Sequence, residues 1–188
     1  MNSKFVFGID EVGRGCVAGS LVVCACLDSE SLNDNLDLND SKKLTPKKRE
    51  NLFKELKNLK VTYFLEVCPA SMIDNLGMAT ALKYTFLNLS KNVRSKFPTA
   101  EFIIDGTLDF GIENSKTIVK GDSKVKSIMA ASIIAKVYRD FTMSSCSKYF
   151  NSFSFESHKG YLTKNHISEI AENGATYIHR KSFLTNYL

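Results

Sequence analysis

The sequence has no hydrophobic run long enough to cross a bilayer. Residues 1–4 lead directly into a predicted strand, without the apolar core of a signal peptide. We therefore expect a cytoplasmic protein that has no membrane partner.

Disulfide and zinc-binding patterns are also missing. The five cysteines are odd in number and form no C-x-x-C pair, which argues against a disulfide framework or a zinc ribbon and favours buried free thiols. Cys24 and Cys26 share one face of a predicted strand, but no histidine lies near them in the sequence. The three histidines all follow residue 157 and do not form H-E-x-x-H, so zinc ligation by them is disfavoured.

Nucleotide-cofactor motifs are absent as well. The P-loop pattern G-x-x-x-x-G-K-[ST] does not occur, and Gly13, Gly15 and Gly19 miss the dinucleotide-binding spacing by one residue. Two carboxylates stand just before these glycines and would repel a pyrophosphate. Repeats, low-complexity tracts and linker-like segments are missing too, which favours one compact domain over residues 1–188.

The composition is that of an ordinary globular chain, with 44% hydrophobic and 24% charged residues. A length of 188 residues is sufficient to bury a full core. The net charge of +5 permits a polyanionic partner such as a nucleic acid, although charge alone does not identify one.

Two adjacent carboxylates, Asp10 and Glu11, follow the apolar residues 5–9 and precede a glycine-rich turn at residues 13–15. Because side chains alternate along a strand, both acids can serve one site only if the strand ends and bends where they stand. Charge at the end of a core strand calls for a cation nearby. The alternative is that the pair merely opens a surface turn.

The same arrangement recurs twice. Asp105 follows the apolar residues 102–104, and Asp122 follows a predicted strand over residues 117–119. A single aspartate at a strand end is often a turn residue or a helix cap. Three acidic strand ends in one small domain favour a shared site.

Hydrophobic periodicity predicts the remaining elements. An apolar stripe on the last long helix is predicted to belong to the core and includes Ala130, Ile134, Val137 and Phe141. Predicted strands cover residues 5–9, 21–27, 61–67, 101–105 and 117–119; predicted helices cover residues 46–59 and 69–97, begin again at residue 124, and include a short one around residues 167–170.

Basic and aromatic residues are interleaved after residue 154. Gly160 beside Tyr161 suits contact with a backbone phosphate and a stacked sugar or base, whereas the alternative makes Tyr161 a core or loop aromatic. Six lysines are predicted to line a phosphate track, the alternative for each being a solvated surface charge: Lys42, Lys43, Lys120, Lys124, Lys159 and Lys164.

A set of motifs occurs in order between residue 5 and about residue 184, so it covers nearly the whole chain. They are Asp10-Glu11-Val12-Gly13-Arg14-Gly15, Asp40-Ser41-Lys42-Lys43-Leu44, Ile104-Asp105-Gly106, Lys120-Gly121-Asp122-Ser123-Lys124 with the helix that follows, and His158-Lys159-Gly160-Tyr161. Each motif alone is weak. The ordered set resembles bacterial ribonuclease HII.

The resemblance implies an α/β ribonuclease H-like fold, with a central mixed sheet flanked by helices. Within the single domain it implies a core over about residues 1–145 and a small helical C-terminal portion over about residues 146–188. It also implies a monomeric endonuclease that cuts the RNA strand of RNA/DNA hybrids. Single ribonucleotides embedded in duplex DNA are included among the implied substrates.

The resemblance also assigns roles to residues. The metal-binding, catalytic carboxylates are Asp10, Glu11, Asp105 and Asp122, and the ribonucleotide-sensing group is Gly13, Arg14, Gly15 and Tyr161. Lys43 and Lys120 are expected to bind substrate as part of the lysine track. Three positions depart from the family pattern: Cys16 and Ser20 stand where prolines are common, and Leu162 stands where glycine is frequent.

Elementary electrostatics agrees with a metal centre. Two unit charges 4 Å apart repel by about 4 kcal/mol at an effective dielectric near 20, so four converging carboxylates need cations or protons among them. Oxygen ligands without cysteine or histidine favour Mg²⁺ or Mn²⁺ over zinc. We expect two divalent ions, with Asp10 bridging both and the other three acids completing their ligands.

Two other functions remain open at this point. A strand-transfer nuclease or a resolvase would share acids at strand ends but has no need for the glycine turn paired with Tyr161. A non-catalytic nucleic-acid-binding module could use the acids to hold a structural ion.

Overall fold

The computed structural model describes residues 5–32 and 36–187. Residues 1–4, where the sequence predicts no signal peptide, and part of the predicted loop over residues 28–43 lie outside these ranges. The central element is a five-stranded sheet of order β3-β2-β1-β4-β5. Its strands are β1 (Val6–Val12), β2 (Leu21–Leu27), β3 (Tyr63–Cys68), β4 (Glu101–Asp105) and β5 (Ser115–Ile118).

The sheet is mixed, as predicted. β1 pairs antiparallel with β2, which pairs antiparallel with β3, whereas β1 and β4, and β4 and β5, run parallel. The parallel half brings the carboxyl ends of β1, β4 and β5 to one edge. That edge is where the sequence places its acids.

Six α-helices are found in the described residues: α1 (Pro46–Asn58), α2 (Ala70–Leu76), α3 (Met78–Lys96), α4 (Lys126–Cys146), α5 (Phe155–His158) and α6 (Lys164–Asn173). The helical region predicted over residues 69–97 is divided at Gly77, whose φ of 75° is unfavourable for other residues. The helix predicted from residue 124 starts two residues later, because a 3₁₀ turn spans Gly121–Ser123. Within the described ranges, no helix combines the length and apolar character of a membrane span.

Hydrophobic side chains pack on both faces of the sheet. One face carries Phe7 and Ile9 against Phe86 and Leu89 of α3. The opposite face, which includes Cys24 and Cys26, packs against α1 and α4. A third cluster joins Met143, near the end of α4, to the C-terminal segment through Phe153, Phe155, Ile170 and Leu184.

The prediction that Phe141 belongs to the core is wrong, because 72% of this side chain is exposed. A helix of 21 residues is about 30 Å long, whereas a seven-residue strand spans about 23 Å. The last turns of α4 therefore extend past the sheet. On that part of the helix only the face bearing Met143 is covered by the C-terminal segment.

The predicted free thiols are confirmed in the described part of the chain. All five cysteines are free, four of them are buried, and Cys146 is half-buried. Burial raises the pKa of Cys24 well above its ordinary value and that of Cys26 to about 12, so both remain protonated apolar residues of the core.

Close packing of α4 on β1 depends on Gly8. A Cβ atom at this position would lie 2.5 Å from both the backbone nitrogen of Ile128 and the carbonyl carbon of Ser127. Backbone atoms cannot move aside as a flexible side chain can. Glycine therefore fixes how near the first turn of α4 lies to the strand that carries Asp10.

We expect Gly8→Ala to lower the free energy of unfolding by about 1–3 kcal/mol, because the added methyl group must push α4 away from the sheet. Gly15→Ala is a matched control, since nothing lies within 4 Å of a Cβ atom there. Urea unfolding with a chelator present measures both changes. Equal stability of the two variants would contradict this view of the packing.

Candidate active site

Asp10 and Glu11 lie within β1, and the expectation that the strand ends before them is wrong. The antiparallel pairing with β2 continues to Val12, opposite Val22. What ends is the parallel pairing with β4, whose last partners are Ile9 and Ile104. Asp10 and Glu11 therefore lie where β1 is still paired with β2 but no longer with β4.

The second acidic position, Asp105, is the last residue of β4. Its Oδ1 atom accepts a hydrogen bond of 2.6 Å from the backbone nitrogen of Gly121. That bond holds the 3₁₀ turn bearing Asp122 against the end of β4. Lys120, just before the turn, has a left-handed φ of 57°, which reverses the chain toward the site.

The four carboxylates share one electrostatic environment. Burial, followed by the charges of Glu11 and Asp105, raises the pKa of Asp10 to about 7, although a hydrogen bond with Ser132 opposes the rise. Burial also raises the pKa of Glu11 to about 6, and Asp105 adds to this effect while Arg14 opposes it. The pKa of Asp122 is raised by burial and then by Asp105. The structure thus brings all four predicted acids together.

Two cationic side chains compensate part of this charge. The Nζ atom of Lys42 lies 3.7 Å from Oδ2 of Asp122, and Nη1 of Arg14 lies 3.9 Å from Oε1 of Glu11. Burial lowers the pKa of Lys42, but Asp10 and Asp122 outweigh it, so the net shift is upward. The sequence predicted Lys42 only as a phosphate contact. Its motif Asp40-Ser41-Lys42-Lys43 was the available signal for this pairing.

The loop that carries Lys42 is held in place by buried contacts. Oγ of Ser41 lies 2.8 Å from Oγ of Ser132 on α4, and Nη1 of Arg49 donates to the Ser41 carbonyl oxygen at 2.8 Å. Ser132 also contacts Asp10. One helix therefore positions both an acid and the loop that bears its nearby cation.

The predicted ribonucleotide-sensing residues are also brought together. Gly13 has a φ of 95°, and the Arg14 side chain is 60% exposed. The backbone nitrogens of Val17 and Ala18 donate to the Gly160 carbonyl oxygen at 2.9 and 3.2 Å. These bonds join the segment after the glycine turn to the loop that carries Tyr161.

Tyr161 is 40% exposed, which excludes the alternative that it is a core residue. Its ring contacts Lys136 and Arg139 of α4, with Nζ and Cζ at 5.3 and 5.8 Å from the ring centroid. Burial raises the pKa of the Tyr161 hydroxyl to about 12, and the neighbouring thiol of Cys16, a hydrogen-bond partner, adds to this effect. The hydroxyl is therefore protonated and able to donate.

Comparison with known proteins identifies this arrangement. The family model described as ribonuclease HII matches residues 7–186. The chain belongs to the ribonuclease HII family. Its relatives include ribonuclease HII of Campylobacter concisus, which is 42% identical over 182 residues covering 95% of this chain and 92% of the relative.

Solved structures support the same fold. Ribonuclease HII of Archaeoglobus fulgidus, solved in complex with PCNA, has a TM-score of 0.77 at 24% identity and covers 97% of this chain and 96% of its own. Bst-RNase HIII, solved in complex with Mn²⁺, has a TM-score of 0.69 at 20% identity over 97% of this chain and 65% of its own. The predicted ribonuclease H-like fold is confirmed.

Membership of the ribonuclease HII family makes the chain a ribonuclease H endonuclease, which is a hydrolase. It decides against the strand-transfer nuclease, the resolvase and the non-catalytic binding module. In this chain the four acids, the glycine turn at residues 13–15 and Tyr161 lie at one edge of the mixed sheet.

The predicted lysines differ in their surroundings. Lys43 and Lys120 are exposed on the two segments that border the ribonuclease HII acids. Nζ of Lys124 donates to the Val119 carbonyl oxygen at 2.7 Å, and Nζ of Lys159 donates to Oγ of Ser144. Lys164 is exposed at the start of α6. Lys43 and Lys120 are thus exposed cations close in sequence to Lys42 and Asp122, which form an ion pair.

The three histidines form a cluster that the sequence did not predict, in which the His166 ring stacks on His158 at a centroid distance of 3.9 Å and hydrogen-bonds to His179. Nε2 of His158 lies 2.9 Å from Oε2 of Glu169, and Nε2 of His166 lies 2.9 Å from Nε2 of His179. Nδ1 of His166 lies 2.9 Å from the Tyr161 carbonyl oxygen. His158, His166 and Glu169 are close enough together to form a metal site, but each ring nitrogen of these two histidines already has a hydrogen-bond partner.

We expect Asp10→Asn to stabilise the metal-free protein at pH 8 more than at pH 4. The fold raises the pKa of Asp10 from 3.8 to about 7, so the native state holds a proton that the unfolded chain releases. The resulting penalty is complete above pH 7 and disappears below pH 4. Asparagine removes this penalty, a gain on the order of 4 kcal/mol at pH 8 before the hydrogen bonds that asparagine alters are counted.

Urea unfolding in EDTA at the two pH values measures this effect. Asp109→Asn is the control, because Asp109 is exposed four residues after Asp105. The difference between the two pH values isolates the charge from the hydrogen bonds that asparagine alters. An Asp10→Asn effect of the same size at both pH values would contradict the electrostatic assignment.

Proposed function

We propose that this protein is a metal-dependent endoribonuclease that cleaves the RNA strand of RNA/DNA hybrids. It also cuts on the 5′ side of single ribonucleotides in duplex DNA, and leaves a 3′-hydroxyl and a 5′-phosphate. The observation that carries the proposal is the group of four acids, of which Asp10 and Asp122 are buried, beside a glycine turn bonded to the Tyr161 loop. We further propose that it acts as a monomer in the cytoplasm.

The donor set fits two Mg²⁺ or Mn²⁺ ions. Asp10, Glu11, Asp105 and Asp122 offer only carboxylate oxygens, the ligands that these ions prefer, and Bst-RNase HIII was solved with Mn²⁺. We assign Asp10 to both ions, because it is the most buried of the four acids and interacts with Glu11 and Asp105. When bound, two such ions supply a polarised water and charge stabilisation for in-line phosphodiester hydrolysis.

The chain's own residues prepare the site. The raised pKa values of Asp10 and Glu11 mean that burial opposes their ionisation, so both gain from any cation placed between them. Lys42 and Arg14 supply part of that positive charge and limit repulsion among the acids. Arg14 is exposed enough to hold a phosphate of the substrate strand at the same time.

Ribose recognition is assigned to residues 13–15 and Tyr161. A 2′-hydroxyl is both a donor and an acceptor, and it is the group that distinguishes RNA from DNA. Backbone amides of Gly13 and Gly15 can approach it closely because neither residue has a side chain. The Tyr161 hydroxyl can donate to it while the ring lies against the next sugar. A deoxyribose packs there better than a ribose, which favours an RNA-to-DNA junction.

Substrate affinity is assigned to phosphate contacts. Lys43 and Lys120 are exposed, and we assign them to phosphates of the strand on which Tyr161 acts. Lysine contacts with phosphates release counterions, so the affinity for duplex should fall as salt rises.

We expect Asp105→Asn to abolish cleavage of a duplex with one embedded ribonucleotide and to leave the fold intact, because it removes a metal ligand and also relieves repulsion. Asp109→Asn, four residues away on an exposed loop, should cut at the wild-type rate. Single-turnover cleavage in Mg²⁺ and then in Mn²⁺ makes the comparison. Near wild-type turnover by Asp105→Asn would refute the site as assigned.

We expect two Tyr161 variants to separate hydrogen bonding from sugar packing. Tyr161→Phe loses a hydrogen bond, which costs about 0.5–1.5 kcal/mol, and keeps the ring. Tyr161→Ala loses both and much of the junction preference. The measurement is the ratio of cleavage of a single-ribonucleotide duplex to that of a uniform RNA/DNA hybrid. If folded Tyr161→Ala kept the wild-type ratio, Tyr161 would have no part in selectivity.

A further inference from the structure

Two fully buried arginines lie beneath the glycine turn, and neither is needed for the chemistry proposed above. Arg139 is on α4, and Arg180 is on the C-terminal segment. Both guanidinium groups donate to backbone carbonyl oxygens. In the described part of the chain, no carboxylate lies within ion-pair distance of either one.

Arg139 connects two loops to one helix. Its Nε and Nη2 atoms each donate at 2.9 Å, to the carbonyl oxygens of Ser20 and Ala18 in the segment after the glycine turn. Its Nη1 atom donates at 2.9 Å to the carbonyl oxygen of Lys159, two residues before Tyr161. The planar guanidinium therefore sets the spacing between the glycine segment and the tyrosine loop.

Arg180 holds the same segment from the other side. Its Nε and Nη2 atoms donate to the Gly19 carbonyl oxygen at 3.0 and 2.9 Å, and its Nη1 atom reaches the carbonyl oxygen of Arg14 at 3.1 Å. The backbone nitrogen of Arg180 also donates to the Val17 carbonyl oxygen at 2.7 Å. Arg180 thus fixes the glycine turn at Arg14 and fixes the segment that follows the turn at Val17 and Gly19.

The glycines around this segment allow so close an arrangement. A Cβ atom on Gly13 would lie 2.3 Å from Nε of Arg139, and one on Gly160 would lie 2.4 Å from the Ala18 carbonyl oxygen. A larger residue at either position would displace an arginine or separate the two loops. The glycine turn is therefore shaped by what lies beneath it as well as by what it binds.

Stability alone does not explain two buried guanidinium groups. Removing a charge from water costs several kcal/mol, and no carboxylate in the described residues compensates either arginine at close range. Burial lowers the pKa of Arg180 to about 10, and Arg139 contributes to this shift. The cost of burying these two charges is explained if the arginines serve to position the glycine turn and the Tyr161 loop.

We propose that Arg139 and Arg180 are positioning residues that set ribonucleotide selectivity by holding the glycine turn and Tyr161 at a fixed separation. The inference rests on the ribose recognition proposed above and assigns no substrate contact to either arginine. Single embedded ribonucleotides depend on this geometry most, because a uniform hybrid offers a ribose at every position.

The test uses Arg139→Lys and Arg180→Lys, which keep the charge but cannot span the same carbonyl oxygens. Arg49→Lys is the control, because Arg49 is also buried and donates to the Ser41 and Leu44 carbonyl oxygens, away from the tyrosine loop; unlike the other two arginines it also pairs with a carboxylate, that of Asp140 at 3.7 Å. The first readout is the ratio of kcat/KM for the single-ribonucleotide duplex to that for a uniform hybrid. The second is amide hydrogen exchange over residues 13–19 and 158–162.

We expect the ratio to fall about ten- to a hundred-fold in the two variants, since a displacement of about 1 Å can cost about 100-fold in rate. Exchange should accelerate in both loops together. Arg49→Lys should leave the ratio unchanged even where it lowers stability. If Arg139→Lys fails to fold, Arg180→Lys decides the question with the same two readouts.

Two negative results are distinguishable. If the wild-type protein cuts neither substrate, the proposed function fails. If the wild type cuts both and the folded variants keep its ratio, the function stands, and the two arginines are only structural. A fall in the ratio without faster exchange in the two loops would contradict the positioning role.

Discussion

The buried carboxylate of Asp10 is the constraint to which the rest of the site conforms. A charge beneath the surface at a strand end requires compensation, and the surrounding elements provide it. Ser132 of α4 contacts Asp10 and also fixes Ser41, and the loop beyond Ser41 brings Lys42 near the acids. The close fit of α4 on Gly8 makes this arrangement possible, so helix packing and site electrostatics cannot be separated.

Much of the site could be predicted from the sequence, because its signals are local. An apolar run followed by an acid and a glycine predicts both a strand and the place where the strand ends. For this reason the sequence could assign Asp10, Asp105 and Asp122 to one site, and the structure brings them together. The extension of β1 beyond Ile9, through both acids to Val12, was missed. Its cause is the pairing with β2, and no pattern within residues 5–12 reports how far a partner strand extends.

The two arginines that hold the glycine turn and the Tyr161 loop could not be predicted, because the sequence alone does not distinguish them from charged residues on the surface. Arg139 and Arg180 are separated from the carbonyl oxygens that they bind by as many as 166 positions, and only the fold brings them together. The error at Phe141 is of the opposite kind, because a residue predicted to be buried is exposed. Phe141 follows the apolar spacing of the core residues of α4, but that helix extends past the sheet that would have buried it. Periodicity identifies one face of a helix, and tertiary structure decides where that face is covered.

In the described residues, the hydrogen-bond acceptors of the two buried guanidinium groups are all main-chain oxygens, and this has a consequence for sequence variation. Every residue type offers the same carbonyl group, so the segment can accept changes while its position stays fixed. A proline at position 20 would present the same carbonyl acceptor to Arg139 as Ser20 does. Cys16 differs, because a proline there would lose the thiol that hydrogen-bonds to Tyr161 as well as the 3.4 Å bond from its nitrogen to the Gly13 carbonyl oxygen. Positions that contribute only a carbonyl oxygen therefore constrain the backbone, whereas Gly13 and Gly160, which have no room for a Cβ atom, also constrain the side chain.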